Sequence, residues 1–186
     1  MDFNKLFNMQ KELDEKIETQ HNITTSKLNE RFLAFLVELG ELANETRCFK
    51  YWSVKPPSEK EVILEEYVDG IHFLLSIGLK LDYTDIDITK YLEETILFSK
   101  LDAKKSISDK YITPILINVY DAAIQFFNSN KFFASDEKGK ESKELFETLF
   151  CKYLFLGTCL GFTFKEIEEF YIKKNEINHK RQDNNY

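Results

Sequence analysis

The amino-acid sequence predicts an all-α protein, a helical bundle with a single domain over residues 1–186, on three observations. The chain is 43% hydrophobic and 15% aromatic, a composition typical of folded globular proteins. Its 186 residues suit one domain with one sizeable core. Only six glycines and three prolines interrupt it. Long helices are therefore favoured over the dense turns of a β-sandwich or barrel.

Charge and cysteine usage exclude several classes of protein. A formal charge of -7 argues against a nucleic-acid polymer as the partner, because phosphate backbones bind dense Lys and Arg. The three cysteines form no C-x-x-C pair, and no apolar run approaches the roughly twenty residues of a membrane-spanning helix. The N-terminus is polar where a signal peptide would be apolar. We expect a soluble, reduced, cytoplasmic protein with no membrane partner.

Helical periodicity and punctuation predict three helices in the first half of the chain. The stretch FNKLFNMQKELDEKIE repeats apolar residues at helical spacing, which predicts the first helix. A second helix is expected from about Lys27 towards Trp52, capped by the Thr-Thr-Ser cluster before it and ended by two prolines. The S-x-x-E pattern of Ser58 and Glu61 predicts a capping box for a third helix over Glu59–Lys80.

The second half is predicted as further helices with polar connections. Thr84–Asp102, Tyr111–Asn130 and Ser142–Leu160 have helical composition, and the charged stretch SDEKGKES is expected to be an exposed link. Gly161 is placed as a helix stop, and Thr163 with Glu166 predicts a capping box for a last helix through Tyr171. The tail KKNEINHKRQDNNY is expected, from its composition alone, to be a solvated end.

Two acidic stripes border the apolar faces of the second and third helices. At about 100° per residue, the acids of each helix fall on one side. They are Glu38, Glu41 and Glu45 in the second helix, and Glu65, Glu66 and Asp69, with His72, in the third. A short proline-containing link makes the two helices antiparallel neighbours, so the stripes are expected to face each other.

Carboxylates packed together in this way repel one another, so either protons or cations must neutralise them. Sites made only of oxygen ligands select Mg²⁺ or Mn²⁺ over Zn²⁺. Because Mg²⁺ is usually completed by substrate phosphates, the pattern indicates a nucleotide or another polyphosphate ligand. The P-loop alternative fails, since Gly139-Lys140 has no glycine five residues before it.

The stretches ELGELANETRCFKYWS and LEEYVDGIHF together resemble the dimeric all-α dUTPase family, within the all-α NTP pyrophosphohydrolase superfamily that includes MazG-like enzymes. The superfamily's E-x-x-E and E-x-x-D half-motifs match Glu38 with Glu41 and Glu66 with Asp69. The F-K-x-W, D-x-x-H-F and Q-K-E-L-D patterns, with the tail YIKKNEINHKRQDNNY, narrow the match to the dUTPase branch. The resemblance implies the superfamily's helical bundle.

The resemblance also implies a reaction, the hydrolysis of dUTP, and of dUDP, to dUMP, for nucleotide-pool sanitation and dTMP precursor supply. Two or more Mg²⁺ ions, with Mn²⁺ as a possible substitute, orient a water for attack on phosphorus. Glu38 is then the expected base, and Glu38, Glu41, Glu66 and Asp69 are the expected metal ligands. Glu38 and Glu41 are interchangeable in these roles, and Glu45 and Glu65 are the next candidates for them.

The remaining site residues are also implied by the resemblance. The expected nucleoside-binding residues are Gln10, Asp14, Trp52, His72 and Asn178, with Asp14 standing where some family members carry asparagine. The expected phosphate-binding residues are Lys50, Lys174 and Arg181. A homodimer, with active sites near the subunit interface, is the expected assembly.

Three other functions are compatible with parts of the sequence. The same enzyme class acting on dCTP or another non-uracil nucleotide is one, because a metal site reads phosphates and not bases. A di-iron carboxylate bundle is another, since Asp69 with His72 and Glu176 with His179 have carboxylate–histidine spacing of i, i+3. The third is a non-enzymatic helical module whose acidic stripe binds a basic partner.

Overall fold

The computed structural model describes residues 1–89, 91, 109–131 and 136–184. Within that part of the chain the secondary structure is helical and contains no strand, so the all-α prediction is confirmed. The helices are α1 (Phe3–Gln20), α2 (Leu28–Thr46), α3 (Lys60–Leu81), α4 (Asp109–Lys131), α5 (Asp136–Cys159) and α6 (Phe164–Asp183). No single helix of the described ranges is long and apolar enough to cross a membrane. Most of the predicted helix Thr84–Asp102 lies outside the described residues.

The chain divides into two compact units. The first unit comprises Met1–Glu45, Ser58–Thr84 and Thr163–Tyr186, and it contains α1, most of α2, α3 and α6. The second unit comprises Thr46–Pro57 and Asp85–Phe162, and it contains α4 and α5. Organisation as one domain over residues 1–186 stays a prediction.

The core of the first unit forms around α3. This helix packs against α1 and α6, which also pack against each other. Its buried apolar residues extend from Leu64 to Ile77, as expected for a helix whose sequence is apolar on most sides. The inward face of α2 contributes Phe35, Leu39 and Leu42, all fully buried. Burial of these side chains supplies most of the stabilisation, because apolar area removed from water contributes about 25 cal/mol per Å².

The segment between α2 and α3 differs from its prediction. Helix α2 ends at Thr46 and does not reach Trp52, because Arg47 takes a left-handed conformation with a φ of 56°. The Arg47 guanidinium donates to the Lys55 carbonyl at 3.0 Å and to the Ser53 hydroxyl, which holds the segment as a loop. The predicted Ser58 capping box is also wrong, since Ser58 donates its hydroxyl to Glu45 and α3 begins after Glu59.

The start of α6 agrees with its prediction and its end does not. Gly161 adopts a φ of 80°, the left-handed conformation of a helix stop, and Thr163 with Glu166 forms the predicted capping box. The helix continues past Tyr171 to Asp183, so the expected solvated end is wrong. Its polar residues find partners within the first unit, and Lys174 and Asn175 are buried.

The second unit is built on α4 and α5, which pack against each other along their apolar faces. Phe126 and Phe146 meet with ring centroids 5.3 Å apart, and Phe150 and Tyr153 are fully buried. The expected exposed link is helical from Asp136 onward, because the Glu and Lys residues that suggested a link are also good helix formers. Thr113 donates its hydroxyl to the Cys48 carbonyl at 2.8 Å, which ties the loop after α2 to α4.

Candidate active site

Three carboxylates from two helices meet in the first unit. One oxygen from each of Glu38, Glu66 and Asp69 lies within 4.8 Å of the others. Glu38 comes from α2, and the other two come from α3, three residues apart and therefore on one helix face. The predicted meeting of the two acidic stripes is confirmed for these three side chains.

The carboxylates raise one another's pKa values. Burial first, and then the charges of Asp69 and Glu41, raise the pKa of Glu38 to about 7. Burial and the same two charges raise the pKa of Glu66 to about 7. Burial also raises the pKa of Asp69, against a hydrogen bond from Lys174. The cluster therefore holds unfavourable negative charge near neutral pH, and a cation relieves that repulsion.

The other acids of the two stripes have different surroundings. Glu41 is exposed and lies outside the group of three, although its charge acts on Glu38 and Glu66. Glu45 accepts the hydroxyl of Ser58, which stabilises the approach to α3. Glu65 accepts from Lys174 at 2.7 Å, and this hydrogen bond lowers its pKa. Glu41, Glu45 and Glu65 therefore lie outside the cluster of three carboxylates.

Lys174 of α6 is a buried cation beside the cluster. Its ammonium donates to Asp69 and to Glu65, each at 2.7 Å. Burial acts to lower the pKa of Lys174, but hydrogen bonds to the two carboxylates raise it overall. The side chain that was expected to bind phosphate is therefore charged and held at the edge of the carboxylates.

A cavity of about 360 Å³ opens next to the cluster within the first unit. Helices α1, α2, α3 and α6 line it, and most of the residues predicted to bind ligand are among them. The predicted residues that line it are Gln10, Asp14, Glu38, Asp69, His72, Lys174, Asn178 and Arg181. Its volume is within the range of small-molecule sites, about 300–1,000 Å³.

The inner wall of the cavity is a hydrogen-bonded group around Gln10. The Gln10 Oε1 lies 2.8 Å from Nδ1 of His72 and accepts the hydroxyl of Tyr171 at 2.8 Å. The His72 and Tyr171 rings stack with centroids 4.1 Å apart. Burial, and then the charge of Lys174, lower the pKa of His72 to about 3, so the imidazole is neutral.

A second set of contacts reaches Asp14. Gln10 donates its amide to Asp14 at 2.8 Å, and the Ser76 hydroxyl donates to the same carboxylate at 2.5 Å. Arg31 donates to Ser76 at 2.7 Å and lies 3.7 Å from Asp14. Burial raises the pKa of Asp14, and the two hydrogen bonds and the Arg31 charge oppose that rise.

Sequence reasoning missed three members of this wall, namely Arg31, Ser76 and Tyr171. The spacing of four residues from His72 places Ser76 on the same face of α3, which is a usable signal. Arg31 and Tyr171 come from α2 and α6, and no local pattern connects them to Gln10.

Lys50 and Trp52 belong to the second unit. Trp52 is 65% exposed and meets Tyr51 edge to face, with centroids 5.0 Å apart. The Lys50 ammonium lies 5.3 Å from the centre of the Phe49 ring. Their expected roles towards nucleoside and phosphate stay predictions.

Histidine takes no part in the carboxylate cluster. The one group of potential metal ligands in the described ranges consists of the three carboxylates, and all three histidines of the chain fall in those ranges. His72 hydrogen-bonds to Gln10 instead. The carboxylate–histidine spacing that suggested a di-iron bundle therefore has no counterpart in this site.

Comparisons with known proteins point to one family. A family model described as dUTPase matches residues 2–186, nearly the whole chain. A search of curated proteins finds no significant match. The family match covers both acidic half-motifs, the cavity and the whole of α6.

Proposed function

The chain belongs to the dUTPase family, whose members hydrolyse dUTP, and on that premise we propose a Mg²⁺-dependent enzyme that converts dUTP and dUDP to dUMP. In this role it removes dUTP from the nucleotide pool and supplies the precursor of dTMP. The observation that carries the proposal is the meeting of Glu38, Glu66 and Asp69 beside a cavity of nucleotide size.

The donor set fits Mg²⁺. Ligand oxygens at about 2.1 Å from Mg²⁺ lie roughly 3–4 Å apart, so carboxylate oxygens within 4.8 Å of one another need only small side-chain movements. Hard oxygen donors without histidine or cysteine favour Mg²⁺ or Mn²⁺. Glu38, Glu66 and Asp69 would hold the ion, and the neighbouring Glu41 is the ligand we assign to a second one.

When bound, Mg²⁺ supplies positive charge that neutralises the polyphosphate and lowers the pKa of an attacking water. We assign Glu38 as the general base that takes the proton of this water. The water oxygen forms a bond to phosphorus, a P–O bond of the bridge between the α- and β-phosphates breaks, and pyrophosphate (from dUTP) or phosphate (from dUDP) leaves.

Cations of α6 complete the phosphate site. Lys174 is buried at the cavity wall and paired with Asp69. Arg181 lines the same cavity about two turns further along the helix. Charge-assisted hydrogen bonds from these groups bind phosphate oxygens that the metal leaves exposed. Lys50 is our further candidate for this role.

The part of the cavity beside α1 takes the nucleoside. Gln10, Asp14 and His72 line this part. Asn178, which accepts from Arg181 at 3.4 Å, is a further candidate for nucleoside contact next to the phosphate site. Trp52 is our further candidate for contact with the base or sugar. This division places the polyphosphate towards Lys174 and the uracil towards α1.

A nucleotide panel tests the proposal. Purified protein is assayed against dUTP, dUDP, dCTP, dTTP and UTP, with Mg²⁺ and with chelator. We expect dUTP and dUDP to be hydrolysed only with Mg²⁺. We expect Glu66→Gln to lower kcat/KM by about 100-fold or more, because even the loss of an outer-shell partner of a metal ligand costs about 10- to 100-fold. Glu61→Gln is the matched control, an exposed acid on the same helix. Undiminished activity in chelator, or a preference for dCTP, overturns the proposal.

We further propose that the enzyme acts as a homodimer in the cytoplasm. Leu33 and Val37, one turn apart on α2 and therefore on one helix face, are 62% and 48% exposed. Burial of such a pair against a second copy removes apolar area from water. The contact would involve the helix that carries Glu38, close to the active site.

A further inference from the structure

A chain of hydrogen-bonded polar side chains runs along the cavity wall from α2 to α3. It begins at Arg31 and passes through Ser76, Asp14 and Gln10 to His72, with steps of 2.7, 2.5, 2.8 and 2.8 Å. Asp14, Gln10, His72 and Ser76 are all buried. In a buried polar network each donor must face an acceptor, so the direction of one hydrogen bond determines the direction of the next.

The direction of the hydrogen bonds is set at Arg31, because a guanidinium group only donates. Its Nε donates to the Ser76 oxygen, so the Ser76 hydroxyl proton points onward to Asp14. The other two nitrogens of Arg31 are held at 2.6 Å each by Glu18 and by the Ser26 carbonyl. Arg31 is therefore fixed and cannot reverse this first step.

Asp14 fixes the second half of the chain. The charge of Arg31, 3.7 Å from Asp14, and the hydroxyl of Ser76 favour the ionised carboxylate, which only accepts. Gln10 therefore turns its NH₂ towards Asp14 and its carbonyl oxygen towards His72 and Tyr171. The hydroxyl of Tyr171 serves either amide orientation, because it both donates and accepts. Of the described groups that hydrogen-bond to the Gln10 amide, only Asp14 distinguishes its two orientations.

The orientation of Gln10 determines which nitrogen of His72 carries the proton. A carbonyl oxygen faces Nδ1, so Nδ1 must bear the hydrogen. Burial keeps the ring neutral, which leaves Nε2 with a lone pair and no proton. The Nε2 atom is buried and has no hydrogen-bond partner among the described residues. A buried lone pair of this kind calls for a donor.

We propose that Arg31, Ser76 and Asp14 are positioning residues that hold the Gln10 amide in one orientation and His72 in its Nδ1–H tautomer. The cavity then offers the nucleoside one remaining amide N–H of Gln10 and one acceptor, Nε2 of His72. The bound group that His72 selects is a hydrogen-bond donor, either a sugar hydroxyl or the imide N–H of the base. This inference rests on the proposed function for the identity of the ligand, but the tautomer is a property of the protein alone.

Replacement of Asp14 by asparagine is expected to change the tautomer of His72. The asparagine side chain has both a donor and an acceptor, so the Gln10 amide is free to turn over and present its NH₂ to His72 Nδ1. The ring then protonates Nε2 and offers the ligand a donor where it had offered an acceptor. Two donors facing each other cost a bound nucleoside at least one hydrogen bond.

Nitrogen NMR tests the tautomer without nucleotide. The protein is labelled with ¹⁵N, and His72 is assigned by loss of its ring signals in His72→Gln. We expect Nδ1 of His72 to be the proton-bearing nitrogen in the wild type, and Asp14→Asn to convert all or part of the population to Nε2–H. An Nε2–H wild type, or an unchanged tautomer in Asp14→Asn, overturns the proposal.

Matched variants separate positioning from folding. Asp183→Asn exchanges an exposed aspartate of the same unit, paired with Lys16, and is expected to leave the His72 signals unchanged. Ser76→Ala removes the hydroxyl between Arg31 and Asp14, and is expected to yield a second set of His72 signals. It provides the test if Asp14→Asn does not fold. A single, unchanged set of Nδ1–H signals in Ser76→Ala would then contradict the positioning role of Arg31, Ser76 and Asp14.

Kinetics connect the tautomer to recognition. For Asp14→Asn we expect KM for dUTP to rise about tenfold, the loss of one hydrogen bond, with kcat and the Mg²⁺ midpoint changed by less than about twofold. Wild-type KM with a 3′-deoxy analogue and with an N3-methyl analogue identifies whether hydroxyl or imide is the donor. If neither analogue binds more weakly than dUTP, the recognition part is overturned. If the protein hydrolyses no dUTP but Asp14→Asn still changes the His72 tautomer, the proposed function is refuted and the positioning role of Arg31, Ser76 and Asp14 is not.

Discussion

The ammonium of Lys174 donates to the carboxylate of Asp69 at 2.7 Å. One proposed phosphate ligand is therefore bound to one proposed metal ligand, and both lie at the wall of the same cavity. A buried lysine that neutralises part of an acidic cluster stabilises the protein and also competes with a metal ion for the same oxygen.

Replacement of Lys174 by methionine is expected to separate these two effects. Methionine keeps an apolar stem of similar length but has no charge, so Asp69 becomes more available to Mg²⁺. We expect the Mg²⁺ midpoint for thermal stabilisation to fall, and KM for dUTP to rise by about 10- to 100-fold through loss of a charge-assisted hydrogen bond to phosphate.

Lys173→Met is the matched control for this experiment. Lys173 is the exposed neighbour on α6 and lies over the Phe170 ring at 5.3 Å from its centre. Its replacement is expected to change neither the Mg²⁺ midpoint nor KM. A Lys174→Met protein with wild-type KM contradicts the phosphate role of Lys174.

The contribution of Glu38 and Glu66 to the stability of the metal-free protein is expected to fall as pH rises from about 4.5 to about 7. Glu38 and Glu66 have folded-state pKa values of about 7, above their ordinary value of 4.5. Between these values the folded state holds more protons than the unfolded state, so raising the pH favours unfolding. Below about 4.5 this penalty is absent, and above about 7 it is complete.

Glu66→Gln checks the sign of this effect. In chelator at pH 8 we expect the variant to be more stable than wild type by on the order of 1 kcal/mol after allowance for solvent screening, or about 2–4 °C in Tm. At pH 4.5 the two should melt together. The same variant should lose the Tm increase that Mg²⁺ produces in wild type. Equal Tm values in chelator at both pH values would refute the mutual repulsion of the cluster.

The capping box of α6 is expected to support the site from a distance. Thr163→Ala removes the side-chain cap on this helix, which carries Lys174 and Arg181, and should cost about 1 kcal/mol of folding free energy. Urea unfolding measures the loss. Thr163→Ser keeps the hydroxyl and serves as the control, and a loss of the same size in Thr163→Ser would show that the hydroxyl cap is not the cause.

Trp52 is the only tryptophan of the chain, so its fluorescence reports on one place. If it covers the nucleoside, a non-hydrolysable dUTP analogue with Mg²⁺ should shift and change its emission, because a side chain that is 65% exposed becomes covered. Lys174→Met at the same ligand concentration should reduce the response. Emission that stays constant at saturating ligand would place Trp52 outside the site.

The exposed α2 face predicts the assembly. Leu33→Glu puts a charge in the proposed contact and should shift the protein from dimer to monomer in light scattering across a concentration series. Exposed Ile117, in the second unit, supplies the control as Ile117→Glu. A wild-type protein that is monomeric at all concentrations contradicts the homodimer.

Local sequence patterns predicted some features of the helices and missed others. The apolar periodicity of α3 and the Thr163 capping box were predicted because each depends on residues within a few turns of each other. The end of α2 was not, since it depends on hydrogen bonds from Arg47 to Ser53 and Lys55. The helical tail was missed for the same reason, because its polar residues are stabilised by partners such as Glu65 and Asp69, more than a hundred positions away.

By itself the sequence determined the all-α class, the two acidic half-motifs and the resemblance to dUTPases, because helical spacing places Glu66 and Asp69 on one face wherever the helix packs. Only the tertiary structure decided which acids meet, and it brought Glu38 to Glu66 and Asp69 while Glu41 stayed exposed. It also decided the directed contacts from Arg31 to His72, since hydrogen-bond direction depends on which donor faces which acceptor in space. No periodicity along the chain records that information.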